Sequence, residues 1–262
     1  MATVNTADNN NAARICALLV QGEQHMPEAL ALAGHLGISI ISDTDAVNGQ
    51  DAFLRLDDEG LVLLSGNMQV KGDFTHLLPR IAQGKLQGEL LVRAARKKGA
   101  QQCGTAVDAT AGLGEDAFLL AAAGFTVRLY ERDAVIAALL ADALRRAALN
   151  PELAAVTRRM QLFEEDSIDA LRELSTPPDV ILLDPMFPSR QKSSLVKKKF
   201  QLLHILETPC QDERELLDAA AAAHPQKIII KRPVKGPYLA QVKPAYSLTG
   251  KTVRYDCIVF TQ

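Results

Sequence analysis

The sequence lacks the signatures of a metal centre, a disulfide framework and a membrane segment. Its four cysteines lie far apart, with no Cys-x-x-Cys pair and no histidine at ligand spacing; they are Cys16, Cys103, Cys210 and Cys257. We therefore predict reduced thiols, no metal ion and no disulfide. No run reaches the roughly 18 consecutive apolar residues that span a bilayer, so we expect no membrane partner. The polar, Asn-rich start lacks the order of a secretory signal, which predicts a disordered lead-in over residues 1–12 and a cytoplasmic protein.

An excess of one charge is also lacking, because the formal net charge is only −2. The charges are nevertheless unevenly distributed. Residues 1–184 carry 16 basic and 25 acidic side chains, whereas residues 185–262 carry 13 basic and 6 acidic ones. Although any single basic cluster could be a solvated face, this asymmetry favours a polyanionic partner for the last third of the chain.

The N-terminal region predicts a small α/β module over residues 13–75. Short apolar runs indicate strands at Ile15–Val20, Ile38–Ile41, Phe53–Leu56 and Leu61–Leu64. A helix is predicted at Glu28–Leu36, ended by Gly37, and a hairpin turn at residues 57–60.

Residues 76–104 form a basic connector. Its basic residues are Arg80, Lys85, Arg93, Arg96, Lys97 and Lys98, and its glycines at 84, 88 and 99 argue against one uninterrupted helix. The connector is either an exposed amphipathic segment or a segment that faces RNA.

From residue 105 the strands and helices alternate. Strands are predicted at Ala106–Ala109, Thr126–Tyr130, Met160–Phe163, Val180–Leu183 and Lys227–Ile230, and helices at Glu115–Ala123, Ala134–Ala148, Ser167–Leu174 and Glu213–Ala223. This alternation is typical of an α/β fold with a mostly parallel, doubly wound sheet. The tail departs from it, because Ala245–Leu248 and Val253–Phe260 predict a C-terminal antiparallel hairpin at the sheet edge.

The strand Val180–Leu183 stops abruptly at Asp184-Pro185-Met186-Phe187. Ligands of open α/β sheets bind at the carboxyl ends of the strands, so this step places an acid, a rigid backbone carbonyl and an aromatic ring at a binding edge. These groups are suited to holding a planar amine such as the exocyclic nitrogen of a nucleobase. Asp184 could instead be a turn acid, and Phe187 a core ring.

A glycine loop follows the first strand of this domain and opens its first helix, with Asp108 before it and Gly112 and Gly114 within it. Glycines allow a ligand to approach the backbone closely, and a helix N-terminus has free N–H donors. Glu131 ends the next strand, where an acid suits hydrogen bonds to the ribose hydroxyls of an adenosine group. A solvated acid at a strand end is the alternative for Glu131.

Two cofactors fit this unit. The spacing Gly112-x-Gly114-x-x-Ala117 is close to the dinucleotide fingerprint, which makes NAD a rival. Glu115 and Asp116 at the start of the helix would repel a pyrophosphate but suit S-adenosylmethionine, which is a sulfonium-bearing zwitterion.

Further acids fit the same cofactor. Asp108 could meet its amino-acid part or order the loop. After the third strand, Asp166 and Ser167 could reach the adenine edge, cap the next helix, or do both.

These motifs together resemble the 16S ribosomal RNA guanine-N2 methyltransferases of the RsmJ type, a family of class I S-adenosylmethionine-dependent enzymes. The similarity covers about residues 76–262. It rests on Val107–Gly114, Glu131-Arg132, Leu183-Asp-Pro-Met-Phe-Pro188, Gln191–Lys198 and Ile230-Lys-Arg-Pro233.

The resemblance implies a Rossmann-like methyltransferase domain over residues 105–262, with S-adenosylmethionine as the cofactor and S-adenosylhomocysteine as the product. It implies methyl transfer to N2 of a guanine in 16S ribosomal RNA, free or in the small subunit. The predicted cofactor-binding residues are Asp108, Gly112, Gly114, Glu115, Asp116, Glu131, Arg132, Asp166, Ser167 and Asp184, and the predicted catalytic residues are Asp184, Pro185 and Phe187.

A predicted RNA-binding set follows the Asp-Pro step. It comprises Arg190, Lys192, Lys197, Lys198, Lys199, Lys231 and Arg232, which would meet phosphates unless they form a solubilising face. Two other activities remain open at this point: methylation of another planar amine, namely adenine N6 or a glutamine side chain, and a non-catalytic role as an RNA-binding assembly factor.

Overall fold

The computed structural model describes residues 15–44, 52–96, 104–185 and 213–260. The predicted lead-in, Phe187 and the basic residues from Arg190 to Lys199 lie outside these ranges, as do Cys103 and Cys210. The chain divides into two compact units, residues 1–70 with 189–208 and residues 71–188 with 209–262.

The smaller unit contains a five-stranded sheet with the order β2-β1-β3-β4-β5. Its strands are β1 (Ala17–Val20), β2 (Ser39–Ile41), β3 (Ala52–Asp57), β4 (Gly60–Ser65) and β5 (Met68–Val70). Strand β1 pairs in parallel with β2 and β3, and β3, β4 and β5 are successive antiparallel neighbours. Helix α1 (Met26–Leu36) joins β1 to β2 and ends at Gly37, whose φ of 65° is readily adopted by glycine.

The larger unit contains a seven-stranded sheet. Its strands are β6 (Thr105–Asp108), β7 (Thr126–Tyr130), β8 (Met160–Phe163), β9 (Val180–Leu183), β10 (Lys227–Pro233), β11 (Tyr246–Thr249) and β12 (Val253–Val259). Their order is β11-β12-β10-β9-β6-β7-β8. Strand β12 runs in the direction opposite to the other six strands of this sheet. The predicted hairpin is confirmed, with its second strand inserted between β10 and β11.

Helices cover both faces of the larger sheet. They are α2 (Leu78–Ile81), α3 (Leu90–Ala95), α4 (Glu115–Ala122), α5 (Ala134–Ala148), α6 (Ala154–Thr157), α7 (Ser167–Arg172) and α8 (Glu213–Ala222). Because side chains alternate along a strand, Ile229 packs into one core cluster and Ile228 and Ile230 into the other. The predicted α/β fold class is confirmed. No helix among the described residues is long and apolar enough to cross a membrane.

The basic connector contributes to the core of the larger unit. Leu77, Leu91, Ala94 and Ala95 are buried in the same cluster as the helix α4 residue Phe118. The segment is broken, as its glycines predict, into the short helices α2 and α3 and two 3-10 turns. The described part of the connector is therefore anchored in the core of the larger unit by apolar side chains.

The strand order places a binding site at one edge of the larger sheet. From β6 the chain proceeds outward to β7 and β8, and it then returns to β9 on the other side of β6. This reversal is a topological switch point, beside which open α/β sheets bind their ligands at the carboxyl ends of the strands. Asp108 ends β6 and Asp184 follows β9, so both acids lie at this point.

Candidate active site

The glycine loop between β6 and α4 contains two glycines with different structural roles. Gly112 and Gly114 have φ values of 52° and 75°, in the left-handed region. A Cβ on Gly114 would lie 2.8 Å from Leu140 Cδ1, so a side chain there would force the neighbouring side chains to shift. No described atom lies within 4 Å of the corresponding position on Gly112. Gly112 therefore borders open space in which a ligand can approach the backbone.

Glu131 holds this loop against the end of β7. Its Oε2 accepts a hydrogen bond from the Gly112 N–H at 2.9 Å, and its Oε1 accepts one from the Asp133 N–H at 2.9 Å. The residue is 8% exposed, which rules out the solvated-acid alternative. Desolvation raises the pKa of the Glu131 carboxyl, whereas the two N–H donors favour the charged form. Each carboxylate oxygen keeps a second lone-pair direction, which suits ribose hydroxyls.

Asp108 orders the start of the same loop. Its Oδ1 accepts a hydrogen bond from the Thr110 N–H at 3.2 Å, and the residue is 2% exposed. Desolvation and the nearby charges of Asp116 and Asp184 raise the pKa of the Asp108 carboxyl to about 8. Asp108 is therefore mostly protonated at neutral pH, and it does not add a full negative charge to the site.

Asp184 is joined to two neighbouring elements. Its N–H donates to Thr110 Oγ1 at 2.7 Å, which ties the end of β9 to the glycine loop. Its Oδ2 lies 2.9 Å from Lys231 Nζ on β10. The Asp184 side chain retains 39% exposure, so its carboxylate is open to a ligand while it is held from behind. Pro185 directly after it is buried.

Lys231 links Asp184 to the helix that follows the glycine loop. Its Nζ lies 2.6 Å from Asp116 Oδ2, in the first turn of α4. Desolvation opposes the charged ammonium, but Asp116 and Asp184 outweigh it and raise the pKa of Lys231 above its ordinary value. Lys231 was predicted to bind phosphate. The structure instead places it between two acids of the site, a role that its basic sequence context did not indicate.

Arg232, also predicted to bind RNA, points to the other face of the sheet. Its side chain is 0% exposed, and it donates to Glu213 Oε1 at 3.2 Å and to the Pro237 carbonyl at 3.1 Å. This buried position does not fit a phosphate contact. The reason is the alternation of side chains in β10, which extends to Pro233 and sends Lys231 and Arg232 in opposite directions.

The remaining predicted cofactor residues lie around the same edge. Asp166 caps α7, since its Oδ1 accepts from the Ile168 N–H at 2.8 Å, and its Oδ2 lies 3.5 Å from Arg132 Nη1. Ser167 is the first residue of α7. Glu115 starts α4 and lies 3.5 Å from His76 Nε2, an imidazole that the sequence analysis did not single out. The hydrogen bond from the Ile168 N–H shows that Asp166 caps α7, which is one of the roles predicted for it.

The described residues contain no group of three or more histidine, cysteine, aspartate and glutamate side chains that could hold a metal ion. The site thus consists of backbone N–H groups, acids and one lysine at the switch point of the sheet. With one antiparallel strand between two parallel ones at one end of the sheet, this arrangement defines the class I S-adenosylmethionine-dependent methyltransferases.

Comparisons with known proteins agree with this class. The family model described as "Putative SAM-dependent methyltransferase" matches residues 42–260. A relative from Thioalkalivibrio sulfidiphilus, named ribosomal RNA small subunit methyltransferase J, is 41% identical over 88% of this chain and 92% of its own. A relative of the same name from Pseudomonas syringae pv. tomato is 38% identical over 93% of this chain and 90% of its own. The chain belongs to the ribosomal RNA small subunit methyltransferase J family.

A solved structure supports the same assignment. The crystal structure of a SAM-dependent methyltransferase from Neisseria gonorrhoeae superimposes with a TM-score of 0.71, at 30% identity, over 93% of this chain and 95% of that chain. S-adenosylmethionine is accordingly the cofactor of this family, and the NAD alternative is wrong. The open space beside Gly112 and the buried Glu131 carboxylate fit the adenosine part of that cofactor.

Proposed function

We propose that this chain transfers a methyl group from S-adenosylmethionine to the exocyclic N2 of a guanine in small-subunit ribosomal RNA. The observation that carries the proposal is the position of Asp184. It lies at the switch point beside the glycine loop, fixed by Thr110 and Lys231, with its carboxylate partly exposed. The relatives' shared name supports the ribosomal RNA substrate, and the motif resemblance supports guanine N2.

The cofactor would lie against the glycine loop. S-adenosylmethionine supplies a methyl group that is already activated by its sulfonium. Gly112 lets the backbone approach the cofactor, and Glu131 keeps the loop in place while its carboxylate accepts hydrogen bonds from the ribose. Asp166 and Arg132, which face each other across 3.5 Å, form the rim on the side of α7.

The acceptor amine would be held by Asp184 and Pro185. A guanine amino group is a weak nucleophile because its lone pair is delocalised into the ring. Asp184 and the Pro185 carbonyl accept hydrogen bonds from its two N–H groups and so orient the nitrogen toward the methyl group. They also stabilise the positive charge that develops on the nitrogen. Lys231 pairs with Oδ2 at 2.9 Å and holds the Asp184 carboxylate in place, and its positive charge opposes the burial that raises the pKa of Asp184. The methylated amine then loses its proton readily, and no strong base is needed.

Phe187 retains its proposed role as the ring that stacks on the extruded guanine, although it lies outside the described residues. Stacking on an aromatic side chain holds a base without selecting it, and it is worth about 1–3 kcal/mol. We also retain the proposals that the protein acts in the cytoplasm and that the smaller unit helps to dock RNA.

The test uses small subunits and naked 16S RNA from cells that lack the gene for this chain. Each is incubated with labelled S-adenosylmethionine and wild-type protein, Asp184→Asn or Asp184→Ala, and the RNA is digested to nucleosides. We expect label in N2-methylguanosine with the wild type and a loss of about 10³-fold with Asp184→Ala. Binding of S-adenosylhomocysteine, measured by calorimetry, should change by less than about tenfold.

Each other outcome points to a specific alternative. Label in N6-methyladenosine would assign the same site to a different planar amine. Cofactor and RNA binding without incorporation into either RNA would favour the assembly-factor role. Near-normal turnover by Asp184→Ala would remove Asp184 from the mechanism.

A further inference from the structure

The loop that follows β10, residues 234–243, contains two residues whose backbone conformation its surroundings must impose. Ala240 and Gln241 have φ values of 46° and 60°, which non-glycine residues adopt only when the surroundings impose them. The Ala240 N–H donates to Glu213 Oε2 at 3.0 Å, and this bond anchors the strained part of the loop to the start of α8.

Arg254 organises the first half of this loop from below. The residue is 8% exposed, and its Nη1 donates to the carbonyls of Pro233, Val234 and Gly236 at 3.1, 2.8 and 2.8 Å. Its Nε is held by Asp256 Oδ1 at 2.9 Å. The loop carbonyls therefore turn inward around a buried guanidinium. Charge-assisted hydrogen bonds therefore preorganise the first half of the loop, and a 3-10 turn at Leu239–Gln241 follows in its second half.

The outward side of the loop carries an aromatic ring between basic residues. Tyr238 is 40% exposed, and the Arg254 guanidinium carbon lies 5.0 Å from its ring centroid. The Arg254 cation thus lies against one face of the ring, and the exposed part of the residue leaves room for a stacking partner. Lys235 and Lys243 flank the ring in sequence, and both are exposed.

The loop lies at the edge of the sheet that holds the active site. Strand β10 runs parallel to β9 with Ile230 opposite Leu183, so the residues after Lys231 extend past the carboxyl end where Asp184 lies. An exposed aromatic ring with exposed lysines on both sides of it in the sequence suits single-stranded nucleic acid, through base stacking and phosphate contacts.

We propose that residues 234–243 form an RNA platform, on which a base flanking the target guanine stacks on Tyr238 while neighbouring phosphates contact Lys235 and Lys243. This inference rests on the proposed function, because it takes ribosomal RNA as the substrate. The loop is built rigidly because a preorganised surface loses little conformational entropy when the RNA strand binds.

Tyr246 provides a matched control. It is a second exposed tyrosine on the same sheet, 41% exposed, with the Lys227 ammonium 5.9 Å from its ring centroid. It lies opposite Cys257, which in turn pairs with Ile229, and therefore near the amino-terminal end of β10. Tyr238 and Tyr246 thus share residue type, exposure and a cation contact. Tyr238 lies beyond the carboxyl end of β10, however, whereas Tyr246 lies near its amino-terminal end.

The test compares Tyr238→Leu, Tyr238→Phe and Tyr246→Leu with the wild type, using small-subunit RNA and labelled S-adenosylmethionine. We expect Tyr238→Leu to raise the KM for RNA by about tenfold, as for the loss of one base–aromatic stack. Tyr238→Phe keeps the stacking face and should stay within about twofold of the wild type, as should Tyr246→Leu. The affinity for S-adenosylhomocysteine and the unfolding temperature, measured in parallel, should stay close to those of the wild type.

Two lysine variants test the phosphate contacts. Lys235→Gln and Lys243→Gln should each reduce the slope of log affinity for RNA against log salt concentration by about 0.7 to 1. The platform is ruled out if wild-type protein methylates the RNA while Tyr238→Leu keeps its KM, or while Tyr238→Leu and Tyr246→Leu lose affinity equally. A wild type that methylates no ribosomal RNA would instead overturn the proposed function.

Discussion

Lys231 Nζ lies 2.9 Å from Asp184 Oδ2, across two neighbouring strands at the switch point of the sheet. The same ammonium lies 2.6 Å from Asp116 Oδ2 at the start of α4. One side chain therefore connects the strand end that would hold the acceptor amine with the helix that follows the cofactor loop. A shift of either element would be transmitted to the other through this pair of contacts.

Replacing Lys231 tests this connection. Lys231→Met removes the cation beside Asp184, so we expect kcat to fall by about 100-fold. The pKa of Asp184 should rise, because an opposite charge that favoured the carboxylate is lost. As pH is lowered, the variant should then lose the activity that needs the ionised acid at a higher pH than the wild type does.

The measurement is the pH dependence of kcat for Lys231→Met and Lys231→Arg. Lys231→Arg keeps the charge, so its acidic limb should stay near that of the wild type. An acidic limb that does not move in Lys231→Met would show that the lysine only maintains the fold. A lower affinity for RNA at unchanged kcat would instead restore the phosphate-binding role.

Most of the strands and helices could be predicted from the sequence. Thr126–Tyr130, Met160–Phe163 and Val180–Leu183 are found with the predicted bounds, because apolar runs with turn or capping residues at both ends leave few alternatives. Strand β5 (Met68–Val70) escaped prediction because a three-residue edge strand has too few positions to show a period. The motifs that follow these strands are therefore found at the strand ends where the sequence places them.

The position of the acids at this edge of the sheet could be predicted from the sequence, whereas the position of Lys231 between them could not. Lys231-Arg232 forms a basic pair in sequence, and the predicted strand ended one residue earlier, at Ile230. Extending the alternation of β10 would place Lys231 with Ile229 on the α4 face and Arg232 with Ile230 on the α8 face. That period of two is the signal that separates a residue of the site from a buried structural residue.

Glu131 is expected to support both stability and cofactor binding. In Glu131→Ala the partly buried N–H groups of Gly112 and Asp133 lose their acceptor, which costs about 1–3 kcal/mol for each group that water does not reach. Affinity for S-adenosylhomocysteine should fall by at least about tenfold, as for loss of a charge-assisted hydrogen bond. Calorimetry at a temperature where the variant remains folded separates the two effects. Unchanged affinity in the folded variant would contradict contact with the ribose.

The raised pKa of Asp108 should make the free energy of unfolding depend on pH. Burial raises its pKa to about 8 from the ordinary value of 3.8, so the folded state binds more protons than the unfolded state between these values. The free energy of unfolding should therefore fall as pH rises through this window, by up to about 1.4 kcal/mol per pH unit from this group. Asp108→Asn stays neutral and should flatten that dependence. Denaturant unfolding of both proteins from pH 5 to pH 9 measures it, and parallel curves would show that Asp108 ionises normally in the folded state.

The two glycines of the loop form a matched pair, because both have positive φ but only one faces packed atoms. Gly114→Ala would place Cβ 2.8 Å from Leu140 Cδ1, and overpacking of this kind costs about 1–3 kcal/mol. Gly112→Ala meets no described atom within 4 Å, so its stability loss should be limited to the cost of a positive φ, about 1 kcal/mol. Its methyl group would instead occupy the space assigned to the cofactor. We therefore expect Gly112→Ala to show the larger loss of affinity for S-adenosylhomocysteine, and Gly114→Ala to show the larger loss of stability. The reverse order in calorimetry and thermal unfolding would place the cofactor away from Gly112.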